Sequence, residues 1–197
     1  METIRVATRI KAPLERCFLL SLSIDLHVAS ASKMQEKAVA GVTTGLIGEG
    51  ETVTFEGRHF GRQFSHTSRI EALRPFSYFR DVMVAGVFQH FEHDHHFAPM
   101  DDGTRMRDEV RFSAPWGPLG RLVSKLFVRR WLTAFLVERN ATIKRVAESE
   151  EWRQYLDSGT KDRPGVEGVG ASVTEGRDGD ALERGSQWVV APRSRRG

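Results

Sequence analysis

The run from Phe88 to Asn140, FQHFEHDHHFAPMDDGTRMRDEVRFSAPWGPLGRLVSKLFVRRWLTAFLVERN, constrains the fold more than any other part of the chain. It reads as a strand, a Gly-containing turn, a second strand, and a Pro/Gly break into a long amphipathic helix. Side chains alternate faces along a strand, so Phe91, His93, His95 and Phe97 share one face, as do Met106, Asp108, Val110 and Phe112 on the next strand. In the helix, Leu119, Leu122, Val123, Leu126, Phe127, Trp131, Leu132, Phe135 and Leu136 recur at spacings of three and four, giving one apolar stripe. Arg121, Lys125, Arg129 and Arg139 fall on the polar side. A sheet face that mixes aromatic, imidazole and carboxylate groups, closed by such a helix, predicts a cavity rather than a solid core.

The rest of the chain supplies the other walls. Thr3 to Ile10 alternates as a strand. Pro13 opens a helix through Leu20, and Ser23 or Asp25 caps a second one over Ile24 to Ala31. Strands are expected at about 35–44, 51–60, 63–73, 77–85, 88–98 and 104–114, separated by short Gly, Pro or Asp breaks that dictate antiparallel neighbours. The order is therefore β-αα-ββββββ-α, an α+β fold in which a curved antiparallel sheet wraps a long C-terminal helix. Composition changes near Asp157. Residues 1–156 read as one domain, and 157–197, rich in Gly and mixed charge, as a disordered tail with one sticky spot at Trp188-Val189-Val190.

Several function classes lose support at this level. Net charge is only +3, which favours neither nucleic acid nor an anionic membrane, and the basic helix residues Arg121, Lys125, Arg129 and Arg130 read as a solvated face. No apolar stretch of about 18 residues occurs, so stable membrane insertion is not expected. The N-terminus lacks the apolar core of a signal peptide, and the single cysteine, Cys17, reads as a buried structural thiol; both fit a cytoplasmic protein. The Gly-rich segment 44–50 lacks the Lys-Ser/Thr of a phosphate loop and reads as a connection near a cavity mouth. No Gly-x-Ser-x-Gly elbow is present.

Joining the two central strands through the turn at 100–103 sets Phe97 opposite Met106, His95 opposite Asp108 and His93 opposite Val110. Opposed residues bring their Cβ atoms within about 5 Å, so a His95–Asp108 hydrogen bond is expected. Phe79, Asp81 and Met83 of the preceding strand face the same way. His90, Glu92, Asp94 and His96 are expected outside, as solvated charge. His27 is expected to cover a sheet edge, with the cavity rim as the alternative. His93 and His95 with Asp108 also form a possible two-imidazole, one-carboxylate metal set, but that spacing is common by chance, and neither metal nor cofactor is expected.

The order of elements, with Phe91-Glu92-His93-Asp94-His95-His96-Phe97, Gly103 to Val110, Gly117 to Leu122 and Leu126 to Arg130, resembles the SRPBCC superfamily over about residues 3 to 150. This is the helix-grip fold shared by START, Bet v 1-like and polyketide-cyclase-like proteins, and the chain is most similar to its bacterial ligand-binding members. The resemblance implies a pocket for a hydrophobic or amphipathic small molecule. His93, His95, Asp108 and Asp81 are expected as its polar groups, with Met83, Phe91, Phe112, Trp131 and Phe135 as walls. Two alternatives stand beside it. One is a cyclase, hydratase or isomerase using His95 and Asp108 as an acid/base pair. The other is a protein-interaction module.

Overall fold

The computed structural model of the protein describes residues 1–31, 35–59, 62–115, 127–156 and 189–190. Strand β1 (Glu2–Ile10) leads into helices α1 (Leu14–Leu22) and α2 (Ile24–Ser30). Six strands follow: β2 (Lys37–Gly41), β3 (Thr52–His59), β4 (Arg62–Arg74), β5 (Tyr78–Ala85), β6 (His90–Met100) and β7 (Gly103–Ser113). Helix α3 (Arg129–Ala147) comes next, then a 3-10 turn (Glu150–Trp152) and the single-turn helix α4 (Arg153–Leu156). The sheet order is β2-β3-β4-β5-β6-β7-β1, all antiparallel, and it curves around α3 as expected. Register shifts between Ala38 and Ala40 and at two places in β4 contribute to that curvature.

The expected start of the long helix, at 116–126, lies outside the described residues, as does most of the 157–197 segment. Its exception is Val189–Val190, strand β8, which pairs parallel with β1 at Val6 and Ala7. Among the described residues, no helix is long and apolar enough to cross a membrane.

The β6–β7 turn fixes everything downstream of it. Gly103 adopts φ +148, and a Cβ there would stand 2.1 Å from the Ile10 carbonyl oxygen, so only glycine lets the turn close against β1. From that turn the register runs as predicted: Phe97 opposes Met106, His95 opposes Asp108, and His93 opposes Val110.

Inside the grip the apolar side chains form two clusters rather than one. The larger joins α1, α2, the end of α3 and one part of the sheet, with Phe18 meeting Phe76, Phe79 and Phe97 edge-on at centroid distances of 5.3–5.9 Å. The smaller contains Ile4, Val6, Val110, Phe112, Leu132 and Leu136. Between them each element switches to polar residues. On β1 the inner positions run Val6, Thr8, Ile10; on β7, Met106, Asp108, Val110; on α3, Leu136, then Arg139 and Asn140, then Ile143. A buried polar belt thus crosses the domain at one level.

Candidate functional site

The belt is built around two imidazoles and two carboxylates. His95 lies flat against Phe79 of β5, ring centroids 4.0 Å apart, and His93 lies over it at 3.7 Å, tilted by 35°. Each ring then reaches diagonally rather than straight across the ladder. His93 Nε2 is 3.0 Å from Asp108 Oδ1, and His95 Nε2 is 3.1 Å from Asp81 Oδ2. His95 Nδ1 also lies 3.0 Å from Asp108 Oδ1, but without the alignment of a hydrogen bond. On the helix side Asn140 Nδ2 donates to Asp108 Oδ2 at 2.6 Å, and Arg139 Nη2 donates to the Ser21 carbonyl at 3.3 Å.

This packing sorts the protonation states. Burial opposes charge on Asp81, but the His95 hydrogen bond and both imidazoles outweigh it and hold the carboxyl at about 2. Burial likewise opposes charge on Asp108, and its hydrogen bond to His93 with the close approach of His95 holds it well below the usual carboxylate range. His93 is pushed down by burial and by the neighbouring His95. Burial would lower His95 too, yet its contacts with Asp108 and Asp81 raise it above the ordinary value. Of the two rings, His95 is therefore the one whose surroundings favour a bound proton.

Against the belt lies a cavity of about 480 Å³. Its walls are mostly apolar: Leu22, Ile24, Ile47, Val53, Phe55, Ile70, Phe79, Phe88, Phe91, Val110, Trp131, Leu132, Phe135 and Leu136. Asp81, His93 and Arg139 are the belt side chains among its lining residues, and His27, Glu36, His66 and Ser68 add polar atoms elsewhere. Few placed polar groups in an apolar hollow of this size are the usual composition of a small-molecule site.

No protein-family model matches the sequence, and no curated protein matches it. Solved structures do. TTHA0849 from Thermus thermophilus superposes with a TM-score of 0.58 over 74% of this chain and 99% of its own, at 16% identity. CV1439 from Chromobacterium violaceum gives 0.59 over 76% and 99%, at 15% identity. Ara h 8.0201, a Bet v 1 homologue, gives 0.51 over 72% and 97%, at 13% identity. The fold is the Bet v 1-like helix grip. At these identities the likeness reaches the fold and stops there.

Within this helix grip the expected site residues divide. Asp81, His93, Phe91, Trp131 and Phe135 line the cavity. His95 and Asp108 sit one layer behind, 1% and 0% exposed, and act on the cavity through His93 and Asp81. Phe112 is buried in the smaller apolar cluster, and Met83 packs with its sulfur against Gly86. Neither is a lining residue. The expected direct His95–Asp108 hydrogen bond is replaced by the diagonal pair, because stacking on Phe79 turns the His95 ring towards Asp81.

Three further expectations change. Arg139, placed on the solvated side of the helix by sequence, is 6% exposed on the inner face. Asp94, expected outside as free charge, is buried on the outer face of the sheet, where it accepts hydrogen bonds from Tyr78, Arg80 and Arg111. His27 is at the cavity rim, stacked on Phe55 at 4.3 Å with Nε2 3.3 Å from Glu36. Sequence reasoning misses Asn140 altogether. Its signal is the helical stripe itself, since positions three and four beyond Leu136 are Arg139 and Asn140.

Proposed function

We propose that this chain binds a hydrophobic or amphipathic small molecule inside the grip, to carry, sequester or sense it. The observation that supports it is the apolar cavity of about 480 Å³ with Asp81, His93 and Arg139 gathered on one part of its wall. That arrangement suits a ligand with an apolar body and one oxygen-bearing polar end. Bet v 1-like folds commonly hold hydrophobic ligands, which supports the same reading.

The enzymatic alternative is less well served. An acid/base residue must come within hydrogen-bond reach of the group it protonates. His95 and Asp108 are behind the wall, so any chemistry on a bound carbonyl compound would have to pass through His93 or Asp81. The interaction-module reading rests on Trp188, which lies outside the described residues.

Anilinonaphthalene sulfonate, an apolar fluorophore with one charged end, is a suitable probe. The chain is expected to bind it saturably, and Ile70→Trp, which thrusts an indole into the cavity, is expected to weaken binding at least about tenfold. Its cost in stability should stay within the roughly 1–3 kcal/mol of a tolerated overpacking change. Unchanged affinity in a folded Ile70→Trp protein would place the probe elsewhere and count against the cavity as the binding site.

A further inference from the structure

We propose that Asp81, His93 and His95 form a site on the cavity wall for one divalent first-row transition ion of the zinc or iron(II) type. The three residues each offer a ligand atom within 4.8 Å of the other two. Asp81 Oδ2 stands 3.6 Å from His93 Nδ1 and 3.1 Å from His95 Nε2. Ligand atoms at about 2.1 Å from a tetrahedral ion stand about 3.4 Å apart, so these two separations are already those of neighbouring ligands.

The back of the site is what a metal-binding histidine pair requires. A ligating imidazole normally gives its other N–H to a carboxylate, which fixes its tautomer and orientation. Here His93 Nε2 and His95 Nδ1 both lie 3.0 Å from Asp108 Oδ1, and Asn140 holds the other Asp108 oxygen at 2.6 Å. One buried carboxylate therefore backs both rings. A ring rotation that aligned His95 Nδ1–H with it would satisfy a nitrogen now without a hydrogen-bond partner.

Charge and access agree with this division of roles. With both imidazoles neutral, Asp81 and Asp108 carry two negative charges and the nearby Arg139 guanidinium one positive charge, so a divalent ion would leave a net positive charge that an anionic head group cancels. Arg139 hydrogen-bonds the Ser21 carbonyl and acts on Asp81 through its charge, so the Asp81 hydrogen bond goes to His95. The side chain of Asp81 is 19% exposed and that of Asp108 0%, so the first faces the cavity and the second does not. An ion on the front would keep open positions towards the cavity, where an oxygen-bearing head group, carboxylate or enolate, would complete its coordination. A donor set of imidazole and carboxylate without thiolate fits this class of ion. The inference stands on side-chain geometry whether or not an organic ligand fills the cavity.

The test uses the full chain, stripped with a chelator and titrated with Co²⁺ alone, whose visible absorption reports its coordination. One Co²⁺ per chain is expected, with zinc displacing it. Asp81→Asn should abolish uptake while the protein still unfolds cooperatively, and Asp108→Asn should keep the stoichiometry with affinity lowered about 10–100-fold. His93→Gln should behave as Asp81→Asn does; if it does not fold, the more exposed Asp81 decides. Absence of saturable Co²⁺ uptake, or equal uptake by Asp81→Asn, overturns the proposal. Fluorophore binding by the stripped protein is a separate readout, so failure of the metal site and failure of the cavity reading are told apart.

Discussion

Replacing Asp108 by Ala is expected to destabilise the chain by about 3–5 kcal/mol, the range for removing one partner of a buried charged network. Asp108 is wholly buried, accepts from His93 and Asn140, and lies 3.0 Å from His95. Its removal strands two donors in the centre of the fold, each costing more than its bond contributed, and takes the carboxylate away from the His95 ring. The loss should appear in urea unfolding as a lower midpoint with an unchanged slope. A cycle with Asn140→Ala should show a coupling of about 1–3 kcal/mol, since the Asn140 amide has no other acceptor closer than Thr8 Oγ1 at 3.4 Å. A loss under about 1 kcal/mol would mean that water reaches Asp108, and the belt would not be a dry layer.

Acid should undo the same belt, with a sign set by the direction of each displacement. In chelator-treated protein Asp81 is held at about 2, below its ordinary value, so its contribution is present above the normal carboxylate range and is lost as pH falls through the folded value. For Asp81 that share is about 2 kcal/mol. Asp108 has the same sign. His93 is lowered, so its share is present above about pH 6.5 and lost as pH falls below it. His95 is raised and opposes this: its share is present below about pH 6.5 and lost as pH rises through its folded value. Stability should therefore fall steeply from about pH 5 to pH 2, with a smaller loss on the alkaline side of neutrality. Asp94 on the outer face is also lowered and adds to the acid limb, so the diagnostic comparison is with Asp81→Asn. That variant should flatten the limb by about 2 kcal/mol. Superimposable acid limbs would contradict the assignment.

The strand–turn–strand register was legible because alternation and the turn at Gly103 leave little choice: a slip of one residue would turn Met106, Val110 and Phe112 outward. Which imidazole bonds which carboxylate was not legible. Straight-across pairing favours His95 with Asp108, but the stacking of His95 on Phe79 is a property of three strands together, and it makes both bonds diagonal. Arg139 was misplaced for a different reason. Polar identity ended the apolar stripe at Leu136, although the helical period carries the inner face on through Arg139, Asn140 and Ile143. Thr8, Asp108 and Asn140 each look like an isolated polar interruption in its own segment. Only the packed fold shows that the interruptions lie at one level and form a layer.

That layer gives the cavity its polar end, and the cavity is expected to be occupied in the native protein. Native mass spectrometry of the full chain, purified under gentle conditions from the organism that makes it, tests it most directly. The expected result is a fraction of the protein carrying a small organic mass that is released on denaturation, reduced in Ile70→Trp and unchanged by Val39→Trp on the exposed β2 edge. Repeated recovery of the bare chain alone, with no uptake of amphipathic compounds added back, would contradict it.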